Sequence, residues 1–141
     1  MSTRVLIVED NYATREALAL LLQTGGYTTA EAANGREALA LLLQAAGYTT
    51  AEAEDGRSAL TYLHSHPAPR LILLDLMMPV MNGWEFLRER RNDPLMAEVP
   101  VVLFTAAGGL DAPAVWALGA NDVIHKPASP DDLLATAGRY C

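Results

Sequence analysis

The chain holds one lysine, one cysteine and no long apolar run, and each shortage excludes something. The single cysteine, Cys141, rules out an internal disulfide and suits a reducing compartment. Its place at the last residue predicts an unconstrained, exposed thiol. Met1–Arg4 lacks a signal peptide's architecture, so the expectation is a cytoplasmic protein. No stretch approaches the about 18 uninterrupted apolar residues of a membrane span. Ten basic residues stand against 17 acidic ones, and the net charge of −7 argues against a general nucleic-acid surface. All the basic residues are Arg except Lys126, so the place of that lysine carries information. What remains is 51% hydrophobic and 19% charged over 141 residues, which predicts one globular domain, 1–141, with a sizeable core.

Leu71-Ile72-Leu73-Leu74 runs straight into Asp75, and Pro79 comes soon after. A short apolar run bounded by turn signals reads as a strand buried on both faces. An aspartate inside such a strand would carry a large desolvation cost. At the strand's carboxyl end it is at home, because open parallel sheets bind ligands there. Val5–Val8 is a second run of this kind and ends in Glu9-Asp10. Val99–Phe104 is a third and ends at Thr105. Asp122–His125 is a shorter one and ends at Lys126.

Helical segments separate these runs. Asn11 is a candidate cap for a helix with Ala17, Leu18, Leu21 and Leu22 on its apolar stripe. Asp55-Gly56 starts a helix to about His64, and Asn82-Gly83 starts one to about Arg91. Another spans about Ala112 to Leu118 and stops at Gly119. Ser129-Pro130-Asp131-Asp132 is a strong start for the last, with a capping Ser, a proline at the first position and acids in the first turn. Strands alternating with helices predict an α/β fold with a doubly wound parallel sheet.

Residues 16–36 and 37–57 are a tandem repeat that differs at only four of 21 positions: Thr24/Ala45, Gly25/Ala46, Ala33/Glu54 and Asn34/Asp55. Such near-identity favours a recent duplication or deliberate engineering over ancient divergence. Two copies are too few for a solenoid. Each copy spans half a helix, a turn, a strand (Tyr27–Ala32 or Tyr48–Ala53) and the start of the next helix. The duplication therefore inserts one helix-plus-strand step in phase.

Doubly wound topology brings the polar strand ends to one rim. Glu9, Asp10 and Asp75 converging there would repel one another unless a cation intervened. Mg²⁺ fits, since it takes oxygen ligands and favours sites shared with phosphate. Lys126 can pair with a phosphate oxygen and the Thr105 hydroxyl can hydrogen-bond to one. Asp75, central among them, can act as a nucleophile toward a phosphoryl group. A phosphatase of another doubly wound family fits less well: the second position after Asp75 is Met77, not the second Asp its general acid would need.

Val5–Asp10, Leu71–Gly83, Thr105-Ala106 and Lys126-Pro127 resemble, in order and spacing, the receiver domain of two-component response regulators. With one copy of the repeat removed, the resemblance covers nearly the whole chain. It implies that Asp75 is the phospho-acceptor. It also implies that Asp10 binds Mg²⁺ directly and Glu9 through water, and that the Met77 backbone carbonyl is a further ligand. Thr105 would follow the phosphoryl group, and Lys126 would hold its oxygen. A sensor histidine kinase or phosphotransfer protein would be the partner. The domain would be a signalling module rather than an enzyme, with only self-phosphorylation and self-dephosphorylation at Asp75. One position departs from the pattern: Val123 stands where the family usually has Tyr or Phe. The length leaves no room for an output domain, which implies a stand-alone receiver or one cut from a longer chain.

The family's sheet order is 2-1-3-4-5. An added step continuing outward would make six strands in the order 3-2-1-4-5-6, and this is favoured over five strands with one copy extruded as a loop. A monomer or weak dimer is expected, with a strand-exchanged dimer as the third outcome. The remaining polar and aromatic residues have plainer readings. His64, His66 and His125 face solvent or loops, Met77, Met78 and Met81 pack, and Trp84 and Trp116 pack on helix faces. Arg88, Arg90 and Arg91 form a solvated helix face.

Overall fold

The computed structural model describes residues 5–8, 40, 43–44, 46–76, 80–105, 112–125 and 130–141. In chain order the elements are β1 (Val5–Val8), β2 (Thr50–Ala53), α1 (Gly56–Ser65), β3 (Leu71–Leu74), α2 (Gly83–Arg91), β4 (Val101–Thr105), α3 (Ala112–Ala117), β5 (Asp122–His125) and α4 (Pro130–Tyr140). Ala40, Leu43 and Gln44, ahead of β2, are helical. Among the described residues no helix is long and apolar enough to cross a membrane.

Continuous apolar runs become the centre of the sheet because both of its faces are covered. Alternate residues of β1, β3 and β4 point to opposite sides. Val5, Ile7, Leu71, Leu73 and Val102 pack with Ala40 and Leu43 and with Leu133 and Ala137 of α4. Leu6, Val8, Ile72, Leu74 and Leu103 pack with α1 and α2 through Ala59, Leu63, Phe86 and Leu87. Leu71, Ile72 and Leu74 are fully buried, so truncating any one to Ala would cost about 2–5 kcal/mol.

The five described strands are parallel, in the order β2-β1-β3-β4-β5. This corrects the six-strand order 3-2-1-4-5-6, which puts residues 27–32 beside the first strand and residues 50–53 one place further out. Thr50–Ala53 instead pairs directly with β1, from Val5↔Thr50 to Val8↔Ala53. The other edge of β1 pairs with β3, from Val5↔Leu71 to Val8↔Leu74. A strand has two hydrogen-bonding edges, and both edges of β1 are occupied. The second copy of the repeat thus supplies the neighbour of β1. Residues 27–32 lie outside the described residues. With β2 next to β1, the return through α1 crosses a single strand, and the longer reach a sixth strand would demand does not arise.

Local signals account for most element ends. Ahead of β2, the Gly47 N–H donates to the Gln44 carbonyl at 3.0 Å and the Tyr48 N–H to the Leu43 carbonyl at 3.0 Å. Gly47 has φ 98°, the left-handed conformation this helix stop requires. Asp55 caps α1 by accepting from the Ser58 N–H at 2.8 Å. Asn82 caps α2 in a reciprocal box, accepting from the Glu85 N–H at 2.9 Å while Glu85 accepts from the Asn82 N–H at 3.3 Å.

Three expectations are corrected. Arg90 does not lie on a solvated face: it is 5% exposed and shares the inner side of α2 with Phe86 and Leu87. Trp116 does not pack, being 73% exposed on α3. Cys141 is half-buried against the α4 side of the core rather than fully exposed. The three histidines are exposed, as their sequence context implied, and Met81 packs against the core.

Candidate functional site

Asp75 comes immediately after β3 and is 5% exposed, at the rim formed by the carboxyl ends of the strands. Its backbone N–H donates to the Val8 carbonyl at 2.9 Å, which ties it to the last residue of β1. Glu9 and Asp10 come next in the chain after Val8. On the other side, β4 and β5 end together, with Thr105 registered against His125, the residue before Lys126. The strand ends that bear the expected site residues are therefore neighbours along one rim. Glu9, Asp10, Met77 and Lys126 themselves lie outside the described residues, and of Thr105 only the backbone is described.

The loop after Asp75 is fastened at two points. The Gly83 N–H donates to the Leu76 carbonyl at 3.0 Å, and the Gly56 N–H donates to the Met81 carbonyl at 2.9 Å. Both contacts need glycine for closeness. A Cβ on Gly83 would lie 2.6 Å from the Leu76 Cα and 2.8 Å from the Asp75 carbonyl oxygen. A Cβ on Gly56 would lie 2.9 Å from the Met81 carbonyl oxygen. Backbone atoms at such distances cannot rotate aside. Val80, between these anchors, has φ 67° and is 74% exposed. A β-branched residue in that conformation is strained by about 1–2 kcal/mol, and such strain gathers at functional loops.

Sequence reasoning missed the role of these glycines. Asn82-Gly83-Trp84-Glu85 does carry a readable cap signal, with Glu three residues after Asn. Nothing local says that the helix start presses on the backbone of Asp75 and Leu76.

The expected metal ligands are carboxylate and carbonyl oxygens, a hard donor set suited to Mg²⁺. The buried Asp75 carboxylate, on a rim that also receives the buried Asp55, fits a divalent cation. Among the described residues no group of three His, Cys, Asp or Glu could hold a metal. Two of the three carboxylates expected to do so, Glu9 and Asp10, are outside them.

A buried aspartate at the end of the third strand of a 2-1-3-4-5 parallel sheet defines a class. The chain belongs to the response regulator receiver domain family, which matches residues 36–137. Receiver domains are the signalling domains of two-component response regulators. Among curated relatives, the phosphate regulon transcriptional regulatory protein PhoB of Escherichia coli is 33% identical over 142 residues, covering 96% of this chain and 50% of that protein. The probable transcriptional regulator ycf27 of Guillardia theta is 36% identical over 133 residues, covering 94% of this chain and 42% of that protein. The chain spans about half the length of the curated relatives it matches. Among solved structures, the Vibrio cholerae chemotaxis protein CheY4 superposes with a TM-score of 0.73 at 26% identity, covering 100% of both chains. The Thermotoga maritima response regulator TrrA, solved in complex with Mg(2+)-BeF, gives 0.71 at 25% identity, with 99% of each chain covered.

Proposed function

We propose that this receiver takes a phosphoryl group on Asp75 from a histidine kinase or a phosphotransfer protein. An Asp75 carboxylate oxygen attacks phosphorus, the bond from phosphorus to the donor's histidine nitrogen breaks, and an acyl phosphate forms. Water later attacks that phosphorus and frees the carboxylate. Asp10, Asp75 and the Met77 carbonyl, with Glu9 through water, would hold Mg²⁺, which would supply positive charge to offset that of the transferring group. Lys126 pairs with a phosphate oxygen, and the Thr105 hydroxyl hydrogen-bonds to another. Val123, half-buried against the α2 side of the core, has no ring to swing. Phosphorylation therefore proceeds without the aromatic rotamer change usual in the family. The reading includes no nucleic-acid or membrane contact by this domain, which acts in the cytoplasm as a monomer or weak dimer.

The observation that carries this reading is Asp75 itself, nearly buried at the tip of β3 and bonded through its backbone to the end of β1. Incubation with acetyl phosphate and Mg²⁺ should add one phosphoryl group by mass, and Asp75→Ala should add none. An unmutated protein that gains no mass ends the claim.

A second reading is a receiver scaffold enlarged by duplication of residues 16–36, natural or engineered, with signalling reduced or lost. It is favoured by where the family match starts: residue 36, one position before the second copy. Deleting 16–36 joins Arg15 to Glu37 and restores the Arg-Glu junction found at Arg36-Glu37. If the first copy is surplus, the shortened chain phosphorylates at least as fast as the full one.

A further inference from the structure

The contacts of the second copy have twins 21 positions earlier in the sequence. Ala40 and Leu43 bury against one face of the sheet, and their counterparts are Ala19 and Leu22. The Gln44 side chain donates to the Thr50 hydroxyl at 2.7 Å, and the counterparts are Gln23 and Thr29. The strand Thr50–Ala53 repeats Thr29–Ala32 without a change, and the Gly47 stop repeats Gly26. The correspondence continues into α1, past the end of the repeat. Its buried residues are Gly56, Ala59 and Leu63, and 21 positions earlier stand Gly35, Ala38 and Leu42. The cap Asp55 corresponds to Asn34, an equally good capping residue.

We propose that the chain exchanges between two registers of one fold. In the register of this structure, residues 40–57 complete the sheet and Gly56–Ser65 forms α1. In the other, residues 19–36 take the place of 40–57, and residues 35–44 take the place of α1. Both registers fill the same buried apolar positions with the same residue types. They differ at the cap and along the less buried side of the replaced helix. Tyr62, which stacks on His66 with ring centroids 4.1 Å apart, gives way to Leu41. His64, which meets Asp93 at 3.1 Å with its side chain 59% exposed, gives way to Leu43. An exposed Leu43 in place of the His64–Asp93 contact, and the loss of the Tyr62–His66 stack, make the second register the minor one. The spare 21 residues move from the connection before β2 to the connection before β3. Loop closure depends only weakly on length, so chain connectivity excludes neither register. Exchange requires β2 to detach from β1, a sub-global opening, and is therefore slow. It also replaces the Asp55 carboxylate at the phosphorylation rim with the Asn34 amide.

Leu43 separates the two registers, because it is fully buried in one and takes the exposed place of His64 in the other. Leu43→Asp should therefore retain a cooperative thermal transition. Hydrogen exchange should then show backbone protection moved from residues 51–53 to residues 30–32. The double variant Leu22→Asp/Leu43→Asp closes both registers and should lose the transition. A single variant as unfolded as the double one overturns the proposal. So does a double variant as stable as the single one, since Asp would then be tolerated at the buried position without any exchange.

Discussion

The two ends of α2 fasten loops by opposite means. At its start, Gly83 works by having no side chain: the helix presses onto the Asp75–Leu76 backbone at distances no Cβ allows. At its end, Arg90 works by having a long one. Its guanidinium reaches the Gly119 carbonyl at 3.2 Å, the Ala97 carbonyl at 3.0 Å and the Val99 carbonyl. These carbonyls precede β4 and β5, at the rim opposite Asp75. Burial pushes the Arg90 pKa below the ordinary arginine range, with Arg91 adding to the shift and Glu98 opposing it. The buried Nε has no hydrogen-bond partner among the described residues. One helix thus runs from the rim that bears Asp75 to the opposite rim, and it fastens backbone at both. Only the first end should matter for phosphorylation.

The largest effect should come from Gly83→Ala. The added methyl meets backbone, so unfolding by urea should show a loss of about 3 kcal/mol. The phosphorylation rate of the protein that remains folded should also fall, because the acceptor loop must shift. A variant that phosphorylates at the normal rate would separate the start of α2 from the chemistry and break the comparison. Arg90→Leu comes next. Three carbonyls lose their donor, and the expected cost is about 2–3 kcal/mol. Acetyl phosphate should still label its folded fraction at the unmutated rate; slower labelling would mean that the far rim feeds into the site. Asn82→Ala removes half of the reciprocal cap and should lower stability by about 1 kcal/mol, read from the denaturation midpoint at unchanged slope. The smallest effect has the opposite sign. Val80→Gly relieves a φ of 67° and should raise stability by less than about 1 kcal/mol. If the strain of Val80 holds the loop for phosphorylation, that gain in thermal stability comes with a lower labelling rate.

Much of the fold was legible in the sequence where several local signals agreed. Leu71–Leu74 reads as a strand because four apolar residues run between turn signals, and it is one. Asn82 with Glu85 marks the start of α2, Gly47 marks a helix stop, and the stronger polar–apolar alternation of Thr50–Ala53 suits its place at the edge of the described sheet. Of the site, the place of Asp75 at a strand end and the meeting of the β4 and β5 ends on the same rim come from the same reasoning. Arg90 was misread as a surface residue although its spacing gave a clue. It lies four residues after Phe86 and three after Leu87, on the stripe that packs inward. A charged residue at such a spacing can turn inward where backbone carbonyls are waiting, and those carbonyls come from segments distant in the chain.

The sequence by itself determined the alternation of strands and helices, the parallel sheet and the place of Asp75 at the end of β3. Those depend on periodicity, caps and turns, which act over a few residues. It could not decide which copy of the repeat stands beside β1, because the two strands are the same word. That choice was made by the residues on the C-terminal side of each copy. Only the second copy leads into a helix that bears Tyr62, stacked on His66, and His64, which meets Asp93. The closeness of Gly83 to Asp75 and the inward turn of Arg90 were likewise tertiary decisions. Each joins residues that local rules treat separately, and only packing brings them within reach.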